Sequence, residues 1–266
     1  MWPIARITFL EGIRSRVLYG IFLFALFVMV MSIVFANFFM QDIGKVAVDF
    51  NLSAISFAGL LICLSVSINL ISKDLDKKTI HFVLSRPISR SAYILGKFFG
   101  VTLIVLFAYL ILTVLSGVVL VYLKYDSAGY FGMFSWTAYL QAVYFDFLKI
   151  SLLNGIIILF STVTTSSFLT MLLSISMYVI GQTISAVVGF IQMQTADAGL
   201  ATSTRQIIDI LKYLVPNFST FDFKVISAHG MLISPGEFFA FTAYGLCYLL
   251  LVLLASAAIF SRKEFL

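Results

Sequence analysis

Residues 73–97 read KDLDKKTIHFVLSRPISRSAYILGK and lie between two charge-free apolar runs, 50–72 and 98–123; the segment holds six Lys/Arg and two Asp. Lys and Arg close to the ends of membrane spans set which side a loop occupies, so a stretch this basic is expected on the cytoplasmic side. It is also long enough to form a docking helix. Topology and a partner are therefore both suggested by one segment.

Working outward, 61% of the 266 residues are hydrophobic and the mean hydropathy is +1.08. The uncharged runs are 17–41, 50–72, 98–123, 150–196 and 238–261. A helix needs about 20 predominantly apolar residues to cross a bilayer. Four runs fit one span each, and 150–196 fits two with a turn. The turn belongs at Ser161-Thr162-Val163-Thr164-Thr165-Ser166-Ser167, where six hydroxyl side chains can satisfy a tight reversal. Barrel strands alternate apolar and polar residues, whereas these runs are apolar all round. The expectation is an all-α integral membrane protein with six transmembrane helices, near 17–40, 50–72, 98–123, 142–162, 168–190 and 235–260, forming a single transmembrane domain.

Charge tests the topology. With the N-terminus inside, the cytoplasmic pieces hold 11 of the 17 Lys/Arg and 4 of the 12 acidic residues, so both termini are expected to be cytoplasmic. The sequence pI of 9.2 then reflects positive charge placed where anionic headgroups and a cytoplasmic partner meet it, and nucleic-acid binding is not expected. Cys63 and Cys247 fall inside spans without paired spacing, which indicates neither a disulfide frame nor a zinc site. The first apolar run is too long, and lacks the small-residue exit, for a cleavable signal.

At the N-terminus, Trp2, Phe9, Leu10, Ile13 and Val17 share one side of a helical wheel, opposite Thr8, Glu11 and Ser15, with Arg6 and Arg16 flanking. That pattern suits a helix lying in the membrane interface with its arginine stems snorkelling to headgroups. On the outer side, 41–49 reads as a loop, and the aromatic-rich 126–146 reads as an interfacial lead into the fourth span. The outer region 191–234 contains an amphipathic helix over 202–215, with Ile207, Ile208, Leu211 and Leu214 on one side. Phe218, Phe221 and Phe223 follow and read as interfacial. Ser234-Pro235-Gly236-Glu237 opens the last span as a capping box with proline at the first helical position.

Chemistry-bearing motifs are few. No phosphate loop is present, since Gly96-Lys97 lacks both the upstream glycine and the hydroxyl; ATP would have to be hydrolysed by another chain. No His/Asp/Glu cluster has metal-ligand spacing, and no catalytic or metal site is expected. The charged pair nearest a span centre is Asp146 and Lys149, read as an interfacial i,i+3 ion pair at the outer end of the fourth span. Two faces are small and mildly polar: Ser53, Ser56, Leu60, Cys63 and Ser67 in the second span, and Thr170, Ser174, Gly181, Ser185 and Gly189 in the fifth. Small residues let helices approach closely and hydroxyls bond across the contact. Either face could be simple packing or the lining of a pathway at a subunit junction. Asn154 and Gln182 are further mid-span polar groups that require partners in lipid.

Taken in order, Asp74, Asp76, Thr79, Leu84, Pro87, Ser89-Arg90 and Gly96-Lys97, set directly between two spans, resemble the permease subunits of the ABC-2 type exporter family. The departures are Asp74 and Asp76 where Glu is commoner, and Lys78 where Gly is common. The resemblance extends over the whole six-span layout. It implies a homodimeric permease in the inner membrane of a prokaryote, with two cytoplasmic ABC ATPase subunits holding the ATP and magnesium, so this chain binds no cofactor itself. In that scheme Asp74, Leu75, Asp76, Lys77, Thr79, His81, Phe82, Val83, Arg86, Pro87 and Arg90 form the ATPase-coupling segment. The second and fifth spans would line the path at the dimer junction, which an uncharged surface makes compatible with amphipathic cargo. An ATP-independent carrier or a non-transporting scaffold stays open at this stage.

Overall fold

The computed structural model describes residues 1–38, 42–76, 89–126, 129, 131, 132, 134–164, 166–194 and 215–262. Among them, eight α-helices follow in order: α1 (Trp2–Ile13), α2 (Arg16–Phe38), α3 (Ile43–Asp76), α4 (Arg90–Asp126), α5 (Trp136–Val163), α6 (Ser167–Gln194), the short α7 (Lys224–Ala228) and α8 (Pro235–Arg262). Six of these, α2 to α6 and α8, are long and apolar enough to cross a membrane. The chain is an all-helical, multi-pass membrane protein. The expected helix over 202–215 lies outside the described residues except for Val215, which is not helical.

α3 and α5 pack against each other at the centre, with α2 and α4 on the flanks of α3 and with α6 and α8 against α5. Several helices run further than the apolar runs foretold. α3 starts at Ile43 rather than after a loop over 41–49, with the carbonyl of Asp42 accepting from the amide of Val46 at 3.0 Å and an Asp42–Lys45 ion pair at 2.8 Å on its first turn. α4 takes in residues 90–97 of the basic segment. α5 starts at Trp136, its N-terminus capped by Ser135, whose hydroxyl accepts from the amide of Ala138. The aromatic lead is therefore partly interior: Tyr139 and Phe145 are buried, because Tyr139 donates to Ser116 on α4 at 2.8 Å and Phe145 packs on Phe223 with ring centroids 4.7 Å apart.

The helix ends follow local chemistry. Between α5 and α6, Thr164 bonds the carbonyl of Phe160 at 2.8 Å and the hydroxyl of Thr170 at 2.5 Å, so the hydroxyl-rich run closes the reversal. At α8, Ser234 and Glu237 exchange bonds: the amide and hydroxyl of Ser234 donate to the Glu237 carboxylate, and the Glu237 amide donates to the Ser234 hydroxyl.

α1 turns a different face inward from the one the wheel suggested. Ile4, Ala5, Thr8 and Gly12 are buried, whereas Trp2 and Leu10 are exposed. The reason lies in α4, where Gly96 and Gly100 form a G-x-x-x-G pair; a Cβ on Gly96 would stand 2.8 Å from the Cβ of Ile4, and one on Gly100 only 2.5 Å from that of Thr8. Missing side chains there let the two backbones approach closely.

Candidate functional site

Three polar features stand out in a mostly apolar bundle. The first is a knot at the middle of the spans. Asp146 and Lys149 do pair, at 2.5 Å, but they are not interfacial: their side chains are 9% and 1% exposed. With α5 beginning at Trp136, Lys149 lies about 20 Å along a helix of roughly 42 Å at 1.5 Å per residue. Ser56 on α3 and Tyr109 on α4 sit near the middle of their own spans as well. Ser56 donates to one carboxylate oxygen of Asp146 at 2.8 Å, and Tyr109 donates to the other at 2.6 Å. Lys149 also donates to the Ser56 hydroxyl at 3.4 Å. An ionised group at mid-bilayer costs about 2.5–3.5 kcal/mol on insertion scales, so pairing and hydrogen bonding here mainly offset that cost. The two charges cancel within the pair.

The knot continues along the α3–α5 seam. Cys63 donates to the carbonyl of Ile150 at 3.7 Å, and Ser67 donates to the side-chain oxygen of Asn154 at 2.9 Å. The Asn154 amide nitrogen donates to the Phe98 carbonyl at 3.2 Å and to Thr102 at 3.1 Å. Ser56, Cys63 and Ser67 are thus buried inside the protomer, and Ser53 is half-buried beside them. Ser56, Cys63 and Ser67 bond to residues of α5 within the protomer. Gly59 completes the geometry, since a Cβ there would collide with the Tyr109 hydroxyl. Neither Tyr109 nor Gly59 was picked out from the sequence; a tyrosine or glycine in an apolar span carries no signal until its partner is placed.

The second feature is the fifth-span face. Ser174 is buried and donates to the Thr170 carbonyl at 2.7 Å. Gly181 is filled from within, because a Cβ there would meet Phe218 at 2.5 Å and the Pro216 carbonyl at 2.6 Å. Ser185, by contrast, is exposed, and Gly189 has no atom within 4 Å of a built Cβ. Residues 215–223 fold back against α6 and α8: Phe218, Phe221 and Phe223 are buried, so the interfacial reading of these three does not hold. They find room beside Gly181 and Gly245. The polar edge of this segment stays open, with Asn217 and Ser219 both donating to Ser185, at 2.6 and 2.9 Å. Behind it, Gln182 donates to Asp222 at 3.2 Å.

The third feature is the pair of helix ends that hold the basic segment. Asp74, Leu75 and Asp76 form the last turn of α3, and Arg90 is the first residue of α4. Lys77, Thr79, His81, Phe82, Val83, Arg86 and Pro87 lie outside the described residues. Arg90 donates to the carbonyls of Phe260 and Ser261, at 3.5 and 3.2 Å, where a cation suits the C-terminus of α8. Ile4, Tyr93, Ile94, Phe98, Ile158 and Phe260 form a buried cluster beneath it, with Tyr93 stacked on Phe260 at 5.6 Å. Lys97 is buried too, over the Tyr93 ring at 5.8 Å. The end of the bundle carrying the basic segment is therefore a tied platform of α1, α4, α5 and α8.

Comparison with known proteins agrees with this architecture. A family model described as ABC-2 family transporter protein matches residues 2–265. No match was found among curated proteins.

Proposed function

The chain belongs to the ABC-2 family of transporter proteins, and on that premise we propose that it is a permease exporting its substrate with ATP hydrolysed by a separate subunit. As a family member it is the membrane component of an ABC transporter and works with an ABC ATPase subunit. The reading goes further in four respects. Residues 73–90 dock the ATPase, with Leu75, Thr79, Phe82 and Val83 as the apolar contact face, Asp74 and Asp76 at its start and Pro87 at its end. ATP and magnesium sit on the partner, and this chain holds no nucleotide. Two copies of the chain assemble with two ATPases in the inner membrane of a prokaryote, with both termini cytoplasmic. α1, with Arg6 and Arg14 exposed, meets the headgroups on that side.

The observation that supports this reading best is the placement of the basic segment between α3 and α4, two unbroken helices of 34 and 37 residues. At 1.5 Å per residue they are rods of about 51 and 55 Å, long enough to carry a movement from a docked subunit through the whole bundle. Of the small-polar positions on α6, Ser185 is exposed and Gly189 has open space around it, and we assign to them the contact with a second copy or a cargo path.

The test is purification of the chain with its ATPase in lipid nanodiscs. Phe82→Asp places an unpaired carboxylate in an apolar contact, a change that typically costs several kcal/mol, so ATPase yield and ATP hydrolysis should both collapse. Lys45→Glu, on the solvated first turn of α3, should leave both unchanged. Normal yield and hydrolysis in Phe82→Asp would remove the segment from its coupling role.

A further inference from the structure

We propose that Ser56, Tyr109, Asp146 and Lys149 form a mechanical joint that passes movement of the two helices flanking residues 77–89 to the folded-back outer segment 215–223. This inference rests on the permease reading and adds to it the positioning residues through which coupling runs.

Two observations carry it. Among the described residues, the hydrogen bonds and ion pair of the joint draw together three helices: α3 through Ser56, α4 through Tyr109, and α5 through Asp146 and Lys149. α3 and α4 are the helices that enter and leave the basic segment, so a push on that segment moves both rods, and the joint requires them to move with α5. On α5, the immediate neighbours of the ion pair then grip the outer segment. Phe145, beside Asp146, packs on Phe223 at 4.7 Å, and Leu148, beside Lys149, meets the space left by Gly245, where Phe221 also closes in.

Stability alone does not account for such a knot. Apolar residues of similar volume often hold a buried contact at least as well as an ion pair does, and an interhelical hydrogen bond in a membrane gains little. What directed bonds to both carboxylate oxygens add is a single allowed register among three helices. Gly59 serves that register by keeping clear the site of the Tyr109 hydroxyl.

The experiment locks the outer segment and reads ATP hydrolysis. Ser185→Cys and Ser219→Cys replace two hydroxyls 2.9 Å apart, each one bond from its Cβ, so in a Cys63→Ser, Cys247→Ser background oxidation should close a disulfide that dithiothreitol reopens. With the ATPase bound in nanodiscs, the lock should slow hydrolysis severalfold, reversibly. In the same protein carrying Asp146→Leu and Lys149→Met, the ATPase should still bind, and hydrolysis should run at the same rate locked or open. Tyr109→Phe keeps the ion pair and removes one bond; should the double variant not fold, it gives the same readout, with a partial release from the lock. Equal slowing in the parent and joint variants, or no slowing in the parent, overturns the joint. Failure of the unsubstituted chain to bind an ATPase at all would instead overturn the permease reading.

Discussion

The second and fifth spans carry the same kind of sequence, a stripe of Ser, Cys, Thr and Gly at helical spacing, yet the fold uses them oppositely. Of the second span's most apolar window 67% is buried, against 17% of the fifth's. α3 turns its stripe inward, where Ser56, Cys63 and Ser67 each have a partner on α5. α6 buries only the inner part of its stripe and leaves Ser185 and Gly189 at the surface. A small-polar stripe therefore marks close approach without saying of what. Partners decide, and in α3 they are the complementary groups Asp146, Asn154 and the carbonyl of Ile150.

The largest expected break in this comparison comes from Lys149→Ala. It leaves the Asp146 carboxylate buried and unpaired, and losing one partner of a buried pair typically costs about 3–5 kcal/mol. Folded yield and thermal midpoint in detergent should fall sharply, while the matching surface change, Ser185→Ala, should barely move them.

Glycines give a sharper version. Gly181→Leu would collide with Phe218 and the Pro216 carbonyl, and Gly155→Leu would begin 3.0 Å from Leu249; overpacking of this kind costs about 1–3 kcal/mol. Both should lower the thermal midpoint of the isolated protomer. Gly189→Leu has open space around it and should leave that midpoint alone while weakening cysteine cross-linking between copies. A midpoint drop in Gly189→Leu equal to that of Gly181→Leu would erase the distinction between the two ends of the stripe.

The smallest effect is expected at the Ser67 end of the seam. Ser67→Ala removes one bond to Asn154, and such bonds average about 0.6 kcal/mol in membrane proteins, so chemical unfolding should shift only slightly. A shift as large as that of Lys149→Ala would mean that the seam, not the ion pair, holds α3 to α5.

The six spans were legible because apolar runs near bilayer length have few alternatives, and the boundaries at Thr164 and Ser234 because hydroxyl and capping chemistry is local. Helix starts were harder. α3 and α5 extend outward through 43–49 and 136–141, where charged or aromatic residues interrupt the apolar run but tertiary partners hold the helix. That extension moved Asp146 and Lys149 from the expected rim to mid-span. The spacing of the pair was readable, whereas Tyr109 and Ser56 are distant in sequence and become its partners only through packing. Gly96 and Gly100 did leave a readable sign, a G-x-x-x-G spacing at the start of a span, and it names the surface that α1 covers.

In the proposed function, residues 73–90 carry the contact with the ATPase. Photo-crosslinking tests this from a light-activated residue placed at Phe82 and, separately, at Met231 near residues 215–223, with the chain co-expressed with its phosphate-loop ATPase. An ATPase adduct is expected from position 82 and none from 231. No adduct from 82, or equal adducts from both, would contradict it.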